Sequence, residues 1–458
     1  MSARADCDAD VIIVGAGLAG LSAARELKRY SVTSIVVEAR DRVGGRTWIQ
    51  RVGKGDFDMG GQFVGPGQER LTEVAKEFKL ELIDMFSDGW NIQDFGGSIS
   101  RYCTPFPTLS FWKPFPLVNL IGLGITMLPV ELLRRLVPLD KPWVAGRALK
   151  WDATSMEVFK NKWWRPAQVQ GMVDAILRPA FGSEAYEVSY LNFLFFMNSV
   201  GGLIRALQGQ KQRFAFGSQL LSRELARVVG DAVQLDTPVR CIEQDQSPHG
   251  GVTVYADRGT YRGRYVIVTV PLPLAAAIRY DPPLPGLVTG LAQRMPMGSE
   301  VKVFATYDRA FWREMGLSGQ VVTDGGPMSV AFDNTTPPPT SQPALLGLIG
   351  GKYAHSWHER DPEERKGAVL AQFARWFGRR ALNPSGYIEA DWRSFPWTRG
   401  CPLAVMSPGA WMSFGAAMRR PVGRIHWAGS ELAEEWCTYM NGAIISGEKT
   451  AREVADRL

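Results

Sequence analysis

The stretch Val11-Ile12-Ile13-Val14-Gly15-Ala16-Gly17-Leu18-Ala19-Gly20 constrains this chain more than any other. Its four leading apolar residues are all β-branched. They are too few for a helix and read as a buried parallel strand. Glycines 15, 17 and 20 follow at once, and Leu18, Leu21, Ala24 and Leu27 then keep a helical period. A second β-branched run, Ile35-Val36-Val37, ends on Glu38. In such a strand–turn–helix each glycine has its own task. Gly15 permits the tight turn, Gly17 lets the backbone approach a pyrophosphate, and Gly20 lets the helix pack close to the strand. The helix start, at Leu18 and Ala19, offers N–H groups and the positive dipole end to phosphates. Glu38 falls about 20 residues on, where an acid binds ribose hydroxyls. A lone glycine pattern would be weak, but this one carries its strand, helix, second strand and acid, and it reads as a dinucleotide site.

At 458 residues the chain has room for about two to four domains and a large core. The net charge of +6 is spread along the sequence with no basic block, so there is no footprint of nucleic-acid binding. The five cysteines (7, 103, 241, 401 and 437) are scattered and odd in number, which suggests reduced thiols in a cytosolic protein. His355 and His358 lie three apart, but no acid or cysteine cluster joins them, so no metal site is expected. No signal peptide precedes the first strand. The longest apolar stretch, Leu117 to Leu133, contains Asn119, Pro129 and Glu131, and reads as a buried or interfacial helix rather than a membrane span.

After Glu38 comes Ala39-Arg40-Asp41-Arg42-Val43-Gly44-Gly45-Arg46-Thr47. Gly44 and Gly45 allow close backbone approach, and Arg40 or Arg46 can neutralise a diphosphate with forked hydrogen bonds. Taken alone, the segment is equally a solvated basic turn. Together with the glycine pattern it resembles the opening of the flavin-dependent amine oxidase superfamily, which includes monoamine, polyamine and L-amino-acid oxidases. Asp58-Met59-Gly60-Gly61-Gln62-Phe63 resembles the family's strand-turn beside the flavin ring. Thr237-Pro238-Val239-Arg240-Cys241-Ile242 resembles its strand along the adenosine half. The resemblance therefore places Ala39, Arg40, Gly45, Arg46, Gly61, Gln62, Phe63 and Val239 on FAD. Further on, Val252 to Tyr255 and Tyr265 to Val270, with Asp257-Arg258-Gly259 between them, read as neighbouring antiparallel strands.

Around residue 302, Val301, Val303 and Ala305 alternate with Lys302, Phe304 and Thr306, the pattern of a strand. By pattern alone Lys302 is a solvent-facing residue. The segment resembles the family stretch whose lysine reaches flavin N5 through a water. Ala344 to Gly350 reads as a strand and Asp361 to Arg379 as a helix. The aromatic region punctuated by Pro105, Pro107, Pro114 and Pro116, and the apolar run Leu194-Phe195-Phe196-Met197, read as core. In the resembling enzymes this part of the chain also walls the substrate cavity.

Near the C-terminus, Trp392 to Gly409 resembles the family's Trp…Gly-Cys…Pro-Gly signature. In mitochondrial monoamine oxidases the cysteine matching Cys401 bonds to the flavin, and the next residue is a tyrosine forming half of an aromatic cage. Here Pro402 follows, so the cage is incomplete. Non-covalent FAD is the expectation, with a link at Cys401 as the alternative. Trp427-Ala428-Gly429-Ser430-Glu431 resembles the family's Phe-Ala-Gly-Thr-Glu. Trp436 to Ala443 resembles the segment that carries the remaining cage tyrosine, here Tyr439, and opens a final helix at Met440 to Ala443 beside the flavin.

The resemblance implies a discontinuous Rossmann-like α/β FAD-binding domain (1–80, 205–285 and 390–458) with an inserted α+β substrate domain (81–204 and 286–389). It implies oxidation of a primary or secondary amine to an imine, hydrolysed to an aldehyde or ketone, with O2 reduced to H2O2. Lys302 and Tyr439 are the catalytic candidates. Trp392, Cys401, Gly429, Ser430, Glu431, Met440 and Ala443 are further cofactor candidates. Leu207, Gln210, Trp397 and Pro402 are candidates for the substrate cavity beside Tyr439. The rivals are an L-amino-acid oxidase with Arg205 clamping a carboxylate, a polyamine oxidase using Glu431, Glu434 and Glu435, a desaturase with another electron acceptor, and a flavin-binding interaction module. A soluble cytoplasmic homodimer with no transmembrane anchor completes the expectation.

Overall fold

The structure is a computed structural model that describes residues 7–103, 117–162, 167–247 and 250–458. The prolines at 105, 107, 114 and 116 lie outside the described residues.

A five-stranded, all-parallel sheet forms the frame of the nucleotide half. Its order is Val233–Gln234, Ser34–Val37, Val11–Val14, Tyr265–Val268 and Ile425–Trp427. The Val-Ile-Ile-Val strand is central and buried on both faces, as a continuous β-branched run requires. It feeds directly into the helix Leu18–Arg29. That helix lies against the last helix, Met440–Ala455. Two glycines set these distances. A Cβ at Gly20 would meet Gly15 O at 2.0 Å, and one at Gly447 would meet Ala19 O at 2.1 Å.

One strand expectation is corrected. Val252–Ala256 forms its antiparallel hairpin with Gly259–Gly263, not with Tyr265–Val268. The latter strand runs parallel to Val11–Val14, because its Tyr-Val-Ile-Val run fits the doubly buried sheet.

A second, seven-stranded sheet has the order Gly386–Asp391, Glu300–Thr306, Ala344–Gly350, Val330–Asp333, Leu317–Thr323, Trp90–Phe95 and Ser98–Tyr102. All of its neighbours are antiparallel except Leu317–Thr323 with Trp90–Phe95. Every residue of Glu300–Thr306 is buried. Val301, Val303 and Ala305 enter one core with Trp312 and Phe373, while Phe304 packs with Phe57 on the opposite face. Lys302 shares the Phe304 face, so the solvent-facing reading of that lysine fails.

Helix Ala167–Phe181 packs on this sheet, and Tyr190–Ser199 shares a core with that helix. The apolar stretch is a helix over Leu117–Leu133, as expected, but its described part is not simply core. Ile125, Leu128, Leu132 and the following Leu136 are exposed, while Thr126 and Val130 are buried. Among the described residues, no helix is long and apolar enough to cross a membrane.

Candidate active site

Four of the parallel strands end at one continuous cavity of about 590 Å3. Val14 and Gly15, Val37 and Glu38, Thr269 and Val270, and Gly429 and Ser430 all line it. This is the crevice at the carboxyl ends of parallel strands where nucleotides bind.

The phosphate end is built from glycine backbone. Gly15 has φ +105°, and a Cβ at Gly17 would meet no atom within 4 Å. Gly45 faces Gly17 across this opening, with φ +56°. Leu18 and Ala19 line the same end. No side chain caps the start of the first helix. Gly20 is absent from the lining; its contact with Gly15 O gives it the packing task alone. Glu38, 4% exposed, accepts from Ala16 N at 2.7 Å and from Arg40 N at 3.0 Å. These bonds fix its carboxylate at the cavity edge beside Ala39, Thr237 and Val239.

The two arginines expected on the diphosphate both line the cavity, and each also has protein partners. Arg40 pairs with Glu38 and donates to Thr398 Oγ1. Arg46 forks onto Glu431 at 2.5 and 2.9 Å and donates to Pro402 O. Burial opposes the Arg46 charge, but the Glu431 carboxylate outweighs it and holds the guanidinium above its ordinary value. Glu431 is therefore behind the wall, not in it. Trp392 is behind it too: its Nε1 donates to Met59 O at 2.8 Å and its ring braces Gly60. Trp397 is expected at the substrate end but lies at the nucleotide end. Arg240 stacks on its ring, and its neighbour Thr398 takes the Arg40 bond.

At the other end, Gly61, Gln62, Phe63, Lys302, Cys401, Pro402, Tyr439, Met440 and Ala443 meet on the cavity wall. Lys302 Nζ donates to Gln62 Oε1 at 2.7 Å and to Gly60 O at 3.0 Å. Gln62 is held in turn by a 2.5 Å bond from its Nε2 to Asn334 Oδ1. Burial pulls the Lys302 ammonium down to about 8, against the charges of Asp58 and Glu300. Burial, and then the charge of Glu300, push the Cys401 thiol well above its ordinary value. Tyr439 stacks on Phe196 at 6.2 Å and meets Trp436 edge-on at 5.0 Å. Beyond it the wall is apolar, with Met172, Leu177, Phe181, Leu207 and Phe332, and Gln210 supplies an amide.

Two residues here escape the sequence reading. Glu300 lines the cavity at 7% exposure. Its only signal is parity, because it stands two residues before Lys302 on one face of a strand. Thr438 also lines the cavity, at φ +73°, a backbone state that a β-branched residue resists.

The rival clusters do not form. Arg205 lies outside the lining, near Gly67 and Trp436. Glu434 pairs with Lys449, and Glu435 does not reach the cavity.

A parallel sheet with a glycine cradle, an acid at the end of its second strand and a buried lysine across the cavity defines an FAD-dependent oxidoreductase. The chain matches the flavin containing amine oxidoreductase family over residues 18–455 and belongs to it. It is 36% identical over 455 residues to the "Probable flavin-containing monoamine oxidase A" of Dictyostelium discoideum, covering 98% of both chains. It is 33% identical to amine oxidase A of Bos taurus, covering 98% of this chain and 85% of that protein. Among solved structures it superposes on putrescine oxidase bound to putrescine with a TM-score of 0.92 at 31% identity, covering 98% and 99% of the two chains. For the cyclohexylamine oxidase of Brevibacterium oxydans the TM-score is 0.90 at 31% identity, with the same coverage. The protein is thus a flavin-containing amine oxidase with FAD as its cofactor. The open Gly17 cradle, the fixed Glu38 carboxylate and the polar cluster at Lys302 fit that group.

Proposed function

We propose that this chain oxidises a primary or secondary monoamine with a compact apolar body, and that O2 takes the electrons to give H2O2. The observation that carries this is the substrate end of the cavity. Beyond Tyr439 the wall is mostly apolar, and the residues expected to clamp an amino acid or a second ammonium, Arg205, Glu431, Glu434 and Glu435, lie outside the described lining. The bound flavin supplies hydride acceptance. The chain supplies the rest. Leu177, Phe181 and Phe332 exclude water, which disfavours the ammonium form and leaves the amine lone pair free. Tyr439 and Phe196 orient the amine along one aromatic face. Lys302, fixed by Gln62 and Gly60, would hold a water toward the bound flavin. The start of the final helix at Met440 places a positive dipole end where negative charge develops.

FAD is held without a covalent bond in this reading. The thiolate of Cys401, needed for a thioether, is opposed by burial and by Glu300. The FAD-binding unit takes in residues 1–80, 205–285 and 390–458, and the substrate unit takes in 81–204 and 286–389. A cytoplasmic homodimer belongs to the same proposal, checked by fractionation and light scattering of the holoenzyme.

Anaerobic titration of the holoenzyme tests the substrate class. Cyclohexylamine and benzylamine should bleach the flavin, with peroxide formed on readmitting air. L-amino acids and putrescine should do so at least about tenfold more slowly, about 1.4 kcal/mol in barrier. Bleaching by amino acids alone would sink the reading.

A further inference from the structure

Glu300 is the buried group that the scheme above leaves without a task. It belongs to the strand that carries Lys302 and points to the same face, since residues two apart on a strand project together with their Cα atoms about 6.6 Å apart. Both side chains line the cavity. They are not joined in an ion pair. The hydrogen bonds of Lys302 go to Gln62 and Gly60, and Glu300 Oε2 is buried with no hydrogen-bond partner. The two groups have opposite inventories. Lys302 is committed as a donor to two oxygens, whereas among the described residues no N–H or O–H meets Glu300 Oε2. A buried acid without a donor is unfavourable unless a ligand completes it. Apart from Glu38 at the nucleotide end, it is the one carboxyl among the described lining residues.

We propose that Glu300 is a catalytic proton acceptor that takes one proton from the incoming substrate ammonium and so delivers the neutral amine to the flavin. The N–H bond of the ammonium breaks, an O–H bond forms on the Glu300 carboxyl, and the electron pair stays on nitrogen. No oxidant enters this step. A separated ammonium and carboxylate become two neutral groups, which the apolar wall favours. The nitrogen lone pair that remains is the one that imine formation requires. The inference rests on the amine oxidase activity of the family and not on which amine is used.

The surroundings isolate this group. Burial holds the Glu300 carboxyl up at about 8, and the charge it feels is Lys302 on its own strand. Cys401, on the loop after Gly386–Asp391, is the other titratable neighbour. On the flanking Ala344–Gly350 side, Arg178 is closed onto Glu184, and behind Cys401, Arg46 is closed onto Glu431. Neither pair offers Glu300 a standing partner.

The test counts protons in the FAD-loaded enzyme. The probe is 2-phenylpropan-2-amine, which has no α-hydrogen and cannot be oxidised. Its binding is measured calorimetrically at pH 9 in buffers of different ionisation heat. Wild type should bind it with no proton released to buffer, and Glu300→Gln should release about one per amine bound. Glu300→Asp should resemble wild type. A full proton released by wild type would overturn the proposal, and this arm needs no variant to fold. Zero release by Glu300→Gln would also overturn it and assign the proton to Lys302. Stopped-flow flavin reduction with a substrate amine gives a second readout. Between pH 8 and the pKa of the amine the wild-type rate should be flat, while Glu300→Gln should rise about tenfold per pH unit.

Discussion

At the scale of single residues, the site rests on side chains whose environments set their chemistry. Lys302 depends on Gln62, which depends on Asn334, so the ammonium has one orientation. Lys302→Met should retain FAD but slow flavin reduction or reoxidation by about a hundredfold or more, as loss of a positioned polar group does. Stopped-flow traces of each half-reaction check this, and unchanged rates would remove the lysine from the mechanism. The same change strands Gln62 Oε1 and Gly60 O, so it should also lower stability by about 1–3 kcal/mol. Thr438 makes the opposite prediction. Its φ of +73° places a β-branched residue in the left-handed region directly before Tyr439. Thr438→Gly should stabilise the fold by about 1 kcal/mol as strain is relieved, offset in part by glycine's entropy. Chemical denaturation measures that gain, and a loss would mean that Thr438 makes contacts outweighing its strain.

At the scale of elements, glycine spacing and sheet burial decide what each segment tolerates. Gly447→Ala would drive a Cβ into Ala19 O and push the final helix off the first. Since both helices line the cavity, the variant should lose about 1–3 kcal/mol of stability and hold FAD more weakly. Thermal melts and flavin retention on a desalting column read both effects. The edge strand Ile425–Trp427 carries a different liability. His426 is fully buried, neither of its ring nitrogens has a hydrogen-bond partner among the described residues, and burial pulls it from 6.5 down to about 4. Its folded pKa lies below the unfolded one, so the unfolded chain binds the proton first. Stability is intact above pH 6.5 and falls by up to about 3 kcal/mol as pH drops toward 4. His426→Phe should flatten that limb relative to wild type in denaturation at each pH. What the sequence reveals follows the same division. The first strand, turn and helix are legible because their glycines, period and acid all act within the single short stretch from Val11 to Glu38. The pairing of Trp90–Phe95 with Leu317–Thr323 is not, because no local signal joins segments so far apart in the chain. Lys302 looks like a surface residue for a related reason. Alternation marks a face, and only the tertiary fold reveals that both faces of that strand are buried.

At the scale of the molecule, one cavity is walled by segments from the beginning, the middle and the end of the sequence. FAD bridging them should couple their stabilities, so removal of the flavin should lower the melting temperature in proportion to the affinity lost. Acid precipitation of the holoenzyme should leave all the flavin in the supernatant, and yellow pellets would instead prove a thioether at Cys401. The two arginines expected on the diphosphate also have partners that motif reading does not show. Both line the cavity, and the long-range partners Thr398 and Glu431 help to fix them there. The order of the parallel sheet has a further consequence. Its fifth strand, Ile425–Trp427, pairs with Tyr265–Val268, a strand made much earlier, and the helix Met440–Ala455 that closes the cavity follows later still. A nascent chain emerging from the ribosome shows its glycine turn and Glu38 long before that closing strand and helix. The full cavity wall therefore exists only once the segment through Ala443 has been made and folded.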